Sequence, residues 1–234
     1  MIWIGTSGFQ YPEWKGKFYP KDLSSKKMLP FYATKFSTTE VNYTFRRIPM
    51  AQTLFNWNAQ TPAGFRFALK APQKITHHQK LVGSAEILDN FWAAARTLGE
   101  KLGPILFQLP PFLKKDLPRL EDFLSILPKG IKAAFEFRHE SWFDDSVFAT
   151  LKSCRVALCI ADNEKLTTPC ISTADFGYFR LRDQYDKTGL THWAKVIAKE
   201  REQLTDGFVY FKHEETGRGP QFAEQLKVFL KEII

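Results

Sequence analysis

The feature that most constrains the fold is the alternation of short apolar segments with helical segments along all 234 residues. Strands that alternate with helices pair in parallel, and eight such units in a chain of this length predict a (β/α)8 barrel. A doubly wound open sheet is the second choice. The predicted strands are Ile2–Thr6, Ser37–Asn42, Phe65–Lys70, Ile105–Leu109, a fifth from Ala133, Arg155–Ala161, Tyr178–Arg182 and Phe208–Lys212.

The helical segments follow the strands in order, and no low-complexity linker divides the chain, so we expect one domain over residues 1–234. Ser84–Leu102 has the clearest helical spacing, and Asp116 is placed to cap the helix that carries Leu117. The periodicity is weakest over Asp162–Gly177. The other predicted helices are Met28–Lys35, Pro49–Gln60, Asp145–Lys152, Thr191–Leu204 and Pro220–Ile234.

The fifth strand starts a stretch, residues 133–142, in which apolar and ionisable side chains alternate before a His and a Trp. Side chains on a strand alternate between faces, so Glu136 and Arg138 share one face, which we place inside the barrel. Barrel interiors are normally apolar, so polar residues in step with these two indicate a site at the carboxyl ends of the strands. We assign to this inward set Thr6, Glu40, Asn42, Arg66, Lys70, Gln108, Asp162, Arg180, Arg182 and Lys212.

Composition bounds the partners and the compartment. The formal charge of +8 and the pI near 9.3 raise the expectation of an anionic partner, phosphate esters or nucleic acid above all. No apolar run is long enough to span a bilayer and no signal peptide is recognisable, so we expect a cytoplasmic protein without membrane contact. Cys154, Cys159 and Cys170 form no CxxC pair, which favours buried free thiols over disulfides or zinc.

Several motifs taken together resemble the YecE-like family, also known as domain of unknown function number seventy-two. The resemblance covers nearly the whole chain and implies a TIM-barrel-type fold, but no reaction. The motifs are Gly5-Thr6-Ser7-Gly8-Phe9 with Trp14, Gly16 and Phe18-Tyr19-Pro20; residues 40–45; Phe67 to Lys70 with Ile75-Thr76-His77; residues 103–111; and Glu136 to Trp142.

Two places differ from the pattern of that family, and both lie at the expected mouth of the barrel. Members commonly have Arg-x-His-Gly where this chain has Arg180-Leu181-Arg182-Asp183. Paired Asn often follow the last strand, where this chain has Lys212-His213-Glu214. The ligand of this chain therefore cannot be inferred from the family.

Three acidic side chains from different strands, Glu40, Glu136 and Asp162, are the candidate catalytic residues, because converging carboxylates can transfer protons or bind a metal. A structural ion-pair network with the neighbouring Arg and Lys side chains is an equally good interpretation. His77, His78, His139 and His213 show no metal-binding motif. We therefore predict no metal site and name no cofactor, and any divalent metal would be weakly held through Glu136 or Asp162.

Five cations against three carboxylates predict an anion-binding site, with Arg holding a phosphate through two hydrogen bonds. One hypothesis is an enzyme that acts on a phosphate-containing substrate, such as a hydrolase of phosphate esters. The alternative is a non-catalytic module that binds nucleic acid or another anion. Trp14 and Trp142 could stack on bases or sugars, or they could pack the loops. The candidate binding residues are Thr6, Trp14, Asn42, Lys70, Gln108, Arg138, His139, Trp142, Arg180, Arg182 and Lys212.

Overall fold

The computed structural model describes residues 1–162, 166–213 and 217–233. Eight parallel strands pair in chain order and β8 closes on β1, which confirms the predicted (β/α)8 barrel. No helix in these ranges is long and apolar enough to cross a membrane. The strands are β1 (Ile2–Ser7), β2 (Thr38–Val41), β3 (Arg66–Lys70), β4 (Leu102–Gln108), β5 (Ala133–Glu136), β6 (Ala157–Ala161), β7 (Phe176–Leu181) and β8 (Asp206–Phe211).

Helices cover the outside of the barrel, and three of them start at an aspartate that caps the first turn. Asp116 accepts a hydrogen bond from Arg119 N, as the sequence predicts, and Asp144 and Asp186 accept from Ser146 N and Gly189 N. The helices are α1 (Met28–Ala33), α2 (Tyr43–Arg46), α3 (Ala51–Ala59), α4 (Ala85–Ala95), α5 (Leu117–Ser125), α6 (Asp145–Ser153), α7 (Lys187–Arg201) and α8 (Arg218–Ile233).

Two boundaries differ from the sequence prediction. The helix predicted to run to Leu102 ends at Ala95 and continues as a 3-10 segment over Arg96–Lys101, because Gly99 adopts φ 57°, which an α-helix cannot accommodate. Leu102 then belongs to β4, so Gly103 and Pro104 lie inside a strand. Residues 166–175 between β6 and β7 contain no helix, and the predicted helix there is wrong for these residues.

The outward-facing side chains of the strands form the apolar layer between the sheet and the helices. Phe107 and Phe135 stack with ring centroids 5.2 Å apart, and Phe123 of α5 meets Phe107 edge to face at 5.3 Å. The phenylalanine content of the chain therefore serves mainly sheet-on-helix packing.

The barrel interior is apolar toward the amino ends of the strands. We call this half the lower interior, and it contains Trp3, Ala68, Leu106, Ala134, Phe176 and Phe208. Trp3 stacks on Phe208 with centroids 6.2 Å apart, and the Arg66 guanidinium lies 5.0 Å from the Trp3 ring. Arg66 faces inward as predicted, but it lies at the end opposite the mouth and takes no part in the charged cluster.

The cysteines differ in their exposure. Cys159 is buried in the barrel interior, whereas Cys154, just after α6, and Cys170, in the β6–β7 connection, are exposed. The expectation of three buried thiols is therefore wrong for Cys154 and Cys170. All three are free thiols.

Candidate functional site

The upper interior is built around Arg180, a fully buried arginine on β7. Its guanidinium bridges two carboxylates on other strands, with Nη2 donating to Glu40 Oε1 at 2.7 Å and Nη1 to Glu136 Oε2 at 2.5 Å. Both carboxylates are also buried, with exposed fractions of 0% and 1%. A buried charge of this kind is tolerated only when it is paired, so these three side chains act as one unit.

Two neutral hydroxyls complete the environment of Glu40. Ser7 Oγ donates to Glu40 Oε1 at 2.7 Å, and Tyr178 OH donates to Oε2 at 2.8 Å. Burial alone would raise the pKa of Glu40, but Arg180 and these hydrogen bonds hold it below its usual value. Glu40 is therefore an ionised side chain whose two oxygens already accept hydrogen bonds.

Glu136 is held in the same way from three sides. Besides Arg180, Gln108 Nε2 donates to Oε1 at 2.8 Å and Arg182 Nη2 donates to the same atom at 2.6 Å. Burial opposes ionisation, but the two guanidinium groups outweigh it and lower the pKa of Glu136 to about 2. Two arginines thus balance two carboxylates within this part of the site.

Lys70, at the end of β3, lies beside this network without joining a carboxylate. Its Nζ donates to Gln108 Oε1 at 2.7 Å and lies 3.9 Å from the centroid of the Phe45 ring. Burial, followed by repulsion from Arg180, lowers the pKa of Lys70 to about 7, although Glu40 and Glu136 oppose the shift. A pKa this low makes the uncharged amine accessible near neutral pH.

His77 lies on the other side of Phe45, in a short π-helical turn over Lys74–His78. Its ring meets the Phe45 ring edge to face at 5.0 Å, and its Nδ1 is hydrogen-bonded to Thr76 Oγ1 at 2.9 Å. Burial and the charge of Lys70 lower the pKa of His77. The next residues include Lys80 and Leu81 at positive φ, a strained backbone that is common near functional sites.

Two members of the predicted inward set face outward instead. Thr6 Oγ1 hydrogen-bonds to Gly8 O and to Tyr32 OH of α1, because the inward positions of β1 are occupied by Trp3 and Ser7. Asp162 follows Ala161, which is the inward residue, so its carboxylate turns away from the barrel. It accepts from Arg182 N, Tyr185 OH and Trp193 Nε1. Neither residue belongs to the charged cluster.

Four further predicted residues lie at the rim and are half-buried. Arg138 makes no ion pair within the described ranges. His139 Nδ1 accepts from Ser141 N at 3.1 Å and caps the turn over Glu140–Trp142. Lys212 follows β8 and adds positive charge near Lys70. Within the described residues, the Nδ2 of Asn42 and the Nε of Arg182 are both buried without a hydrogen-bond partner.

The two tryptophans left open by the sequence are core residues. Trp142 stacks on Phe137 with centroids 4.6 Å apart and donates to Leu113 O at 2.7 Å. Trp14 packs against Tyr11 and Phe18 in the first loop. Both are at most 1% exposed, so neither offers a free ring face to a ligand. The packing interpretation fits both.

Among the described residues, no group of three or more His, Cys, Asp or Glu side chains is arranged to hold a metal ion. The two side chains suggested for weak metal binding are engaged in other ways, Glu136 with arginine and glutamine and Asp162 with neutral donors. Glu214, which differs from the family pattern, lies outside the described residues.

The sequence interpretation missed Ser7, Tyr178 and Phe45. Shifting the inward register of β1 by one residue would have identified Ser7, and Tyr178 has the same strand parity as Arg180. Phe45 contacts Lys70 from the short helix α2, and no strand pattern points to it.

Fold and site together define a (β/α)8 barrel with a buried Arg–carboxylate network beneath a cationic mouth. Residues 3–233 match the family model described as a protein of unknown function, DUF72. The chain therefore belongs to the DUF72 family, as its motifs suggested.

Relatives and solved structures agree with this assignment. The chain is 31% identical over 144 residues to UPF0759 protein YecE of Escherichia coli K12 and 31% identical over 151 residues to UPF0759 protein YunF of Bacillus subtilis. These matches cover 61% of this chain, and the chain spans about half the length of these relatives, 50% and 52%. A DUF72 family protein of Thermotoga maritima superimposes with a TM-score of 0.90 at 26% identity, covering 99% of each chain. For one from Enterococcus faecalis, the TM-score is 0.87 at 18% identity over 99% of this chain and 96% of the other, which shows the fold alone.

Proposed function

We propose that the protein is an enzyme that binds a phosphate-containing substrate at the carboxyl-end mouth of its barrel. The observation that carries this proposal is the charge balance of the mouth. Arg180 and Arg182 are matched by Glu40 and Glu136, so the positive charge of Arg138 has no carboxylate of its own within the described ranges. A bound anion would supply the missing negative charge.

Arg138 and Arg182 are the groups proposed to hold the anion. Arg182 uses Nη2 for Glu136, and its buried Nε has no hydrogen-bond partner, so this edge of the guanidinium can donate to a ligand oxygen. Arg138 is half-buried just after β5, which β6 separates from β7, and it is close enough to repel Arg182, so it can approach the same ligand. Two arginines can grip a phosphate more strongly than surface lysines, because each offers a planar pair of donors.

The carboxylates expected from the sequence to act as acid or base are better suited to positioning. Glu136, with a pKa of about 2, is a weak base near neutral pH, and the oxygens of both Glu40 and Glu136 already accept hydrogen bonds. The side chain whose pKa favours proton transfer at neutral pH is Lys70. We therefore assign the phosphate a role as a binding group and place the chemistry near Lys70.

Thermal unfolding in phosphate and in chloride at matched ionic strength tests the anion site. At tenfold over its Kd, phosphate should stabilise the wild type by about 1.4 kcal/mol, which raises Tm by roughly 3–6 °C for a chain of this size. Arg138→Ala should lose most of this shift, because it removes a ligand contact, whereas Lys199→Ala on exposed α7 should keep it. Equal stabilisation by chloride would refute the proposal.

The alternative function, non-catalytic binding of nucleic acid, is favoured by the overall charge of +8. Binding through many phosphates weakens steeply with salt, because each contact releases counterions. A salt slope that corresponds to several released ions, and that Arg138→Ala does not change, would favour this alternative over a single anion pocket.

A further inference from the structure

Two lysines of the described chain are buried in different ways. Lys101, at the end of the 3-10 segment before β4, donates to Asn58 O, Thr61 O and Thr61 Oγ1 at 2.6, 2.7 and 3.2 Å, so that its ammonium is fully used. Lys70 is 7% exposed, donates to one amide oxygen, of Gln108, and lies against the Phe45 ring. Lys101 is therefore a structural cation. Lys70 can still donate further hydrogen bonds and, when uncharged, offers a lone pair beside the mouth.

Burial and the neighbouring charges favour an uncharged amine at Lys70. Arg180 and Lys212 repel its positive charge, and Arg138 and Arg182 add to the positive field of the mouth. Glu40 and Glu136 attract it, but both are neutralised by arginine. The nearest contacts, an amide oxygen and an aromatic face, provide no full negative charge.

We propose that Lys70 is the covalent catalytic residue of the site and forms an imine with the carbonyl carbon of an aldehyde or ketone substrate that carries an anionic group. This inference rests on the proposed function, since Arg138 and Arg182 supply the contacts to the anionic group. It extends that function by naming Lys70 as the reacting group of the enzyme and a carbonyl as the reacting group of the substrate.

The covalent step balances without an oxidant, a reductant or a metal. The lone pair on uncharged Nζ forms a bond to the carbonyl carbon, and the carbonyl π electrons move to oxygen, which takes up a proton to give a carbinolamine. The oxygen then takes a second proton and leaves as water, while nitrogen forms the C=N double bond and releases its own protons. Amine and carbonyl thus give imine and one water, and the positive charge near Nζ returns if the imine is protonated.

Lys70 also has a fixed position that imine formation requires. Its Nζ is held between Gln108 and Phe45, and Gln108 is fixed in turn by Glu136, so the chain Lys70–Gln108–Glu136–Arg180 connects the amine to the buried network. Because a carbonyl has to approach along the lone pair of nitrogen, a restrained amine loses less entropy in the reaction than a surface lysine.

Pyridoxal 5′-phosphate tests the inference, because it joins an aldehyde to a phosphate and its imine can be fixed by borohydride reduction. After brief treatment of the intact protein near neutral pH, peptide mass spectrometry gives the rate of labelling at each lysine. A lysine of ordinary pKa is almost entirely charged at pH 7, whereas Lys70, with a pKa of about 7, offers an uncharged amine far more often. We expect Lys70 to react at least about tenfold faster than exposed Lys199. The ratio of rates is smaller than the ratio of uncharged fractions, because a less basic amine is also a weaker nucleophile.

Three arms separate this inference from the anion site. Inorganic phosphate in excess should slow labelling of Lys70 but not of Lys199, and pyridoxal without its phosphate should react with Lys70 more slowly than pyridoxal 5′-phosphate does. Lys101 should remain unlabelled, because its ammonium is held by three oxygens. Lys70→Arg, which carries a positive charge but no nucleophilic amine, should show no label at that position and keep the phosphate-induced rise in Tm.

Labelling of Lys70 no faster than that of Lys199 would overturn the imine proposal, and a persisting phosphate effect on Tm would leave the anion site standing. Fast labelling by pyridoxal and by its phosphate alike, with no protection by inorganic phosphate and no effect on Tm, would overturn the anionic substrate class and the proposed function together.

Discussion

The two halves of the barrel interior use the same strands for opposite purposes. The lower interior is filled by apolar side chains such as Trp3, Leu106 and Phe208, as in most barrels. The upper interior, which consists of Ser7, Glu40, Lys70, Gln108, Glu136, Arg180 and Arg182, replaces them with a connected set of ion pairs and hydrogen bonds. The difference arises within two residues along a strand, as between Leu106 and Gln108.

This contrast shows how one barrel combines stability with a charged site. Apolar packing in the lower interior contributes free energy that depends little on pH, because no ionisation is involved. Each charge in the upper interior needs its partner, so the loss of one leaves another charge buried and unpaired. The site is therefore rigid as long as it is complete, and each of its members can be tested against a neighbour in the lower half.

The largest expected effect is that of Arg180→Leu, which leaves Glu40 and Glu136 buried without their shared partner. Removing one member of a buried ion pair costs about 3–5 kcal/mol, or roughly 6–20 °C in Tm for a chain of this size. Thermal or urea unfolding measures the loss.

Leu106→Ala is the matched variant in the lower interior, where the cost comes from a cavity and is about 2–5 kcal/mol. The two losses are told apart by a compensated variant, Glu40→Leu/Arg180→Leu, which removes Arg180 together with one of its carboxylates and leaves Glu136 paired with Arg182. This variant should be more stable than Arg180→Leu alone, since no buried carboxylate is left without an arginine. If it is less stable, Arg180 and Glu40 do not act as one electrostatic unit.

The second effect is the response to acid. The pKa of Glu136 is lowered from 4.5 to about 2 in the folded protein, so the unfolded chain binds a proton first as pH falls. The stabilisation is complete above pH 4.5 and is lost as pH falls toward 2, which amounts to about 3 kcal/mol between pH 5 and pH 2.

Urea unfolding of the wild type and of Glu136→Gln across this range measures the effect. The stability difference between them should shrink by about that amount, because the variant has no carboxyl to protonate at this position. Leu106→Ala should instead run parallel to the wild type. A constant difference for Glu136→Gln would show that the pKa of Glu136 is the same in the folded and the unfolded protein.

The sequence predicted the fold better than it predicted the site. Eight strands were recognised because periodicity and apolar runs are local signals, and residues 133–138 identified the correct inward face of β5. Strand parity also brought Glu40, Glu136, Arg180 and Arg182 together, as found in the structure.

The errors at the site have two physical causes. Strand parity is uncertain at strand ends, where a shift of one residue exchanges faces, and this misplaced Thr6 and Asp162. The pairing of charges depends on distances across the barrel, so counting five cations against three carboxylates could not show that Arg180 bridges two of them. The sequence also could not show that Lys70 and Lys101 are buried in different ways, because the difference lies in the acceptors that surround each ammonium group.

A third effect concerns Lys70 above neutral pH. Its pKa is lowered from 10.5 to about 7 in the folded protein, so between these values the unfolded chain binds more protons and stability rises with pH. Between pH 7 and pH 9 this rise amounts to about 2 kcal/mol.

Lys70→Met lacks this titration, so the stability of the wild type relative to the variant should increase by that amount over the same range. Urea unfolding at several pH values gives the difference directly, and the ionisation of tyrosines cancels between the two proteins. Lys199→Met, on the exposed face of α7, should keep a constant difference. A constant difference for Lys70→Met would mean that Lys70 keeps its proton and belongs to the ion-pair network.

The smallest effect tests the register of β1. Ser7 is inward and donates to the buried carboxylate of Glu40, so Ser7→Ala should destabilise the fold by about 1.5 kcal/mol, at the low end for a hydrogen bond to a charged group. It should also raise the pKa of Glu40, because one of the donors that favour the ionised form is lost.

Ser25→Ala, at an exposed position before α1, should change stability by less than about 0.5 kcal/mol. Unfolding at pH 7 and pH 4 resolves both effects, since the loss in Ser7→Ala should shrink on acidification, as Glu40 is protonated, while Ser25→Ala follows the wild type. A loss that is the same at both pH values would place Ser7 outside the Glu40 environment and would shift the boundary between the two halves of the interior.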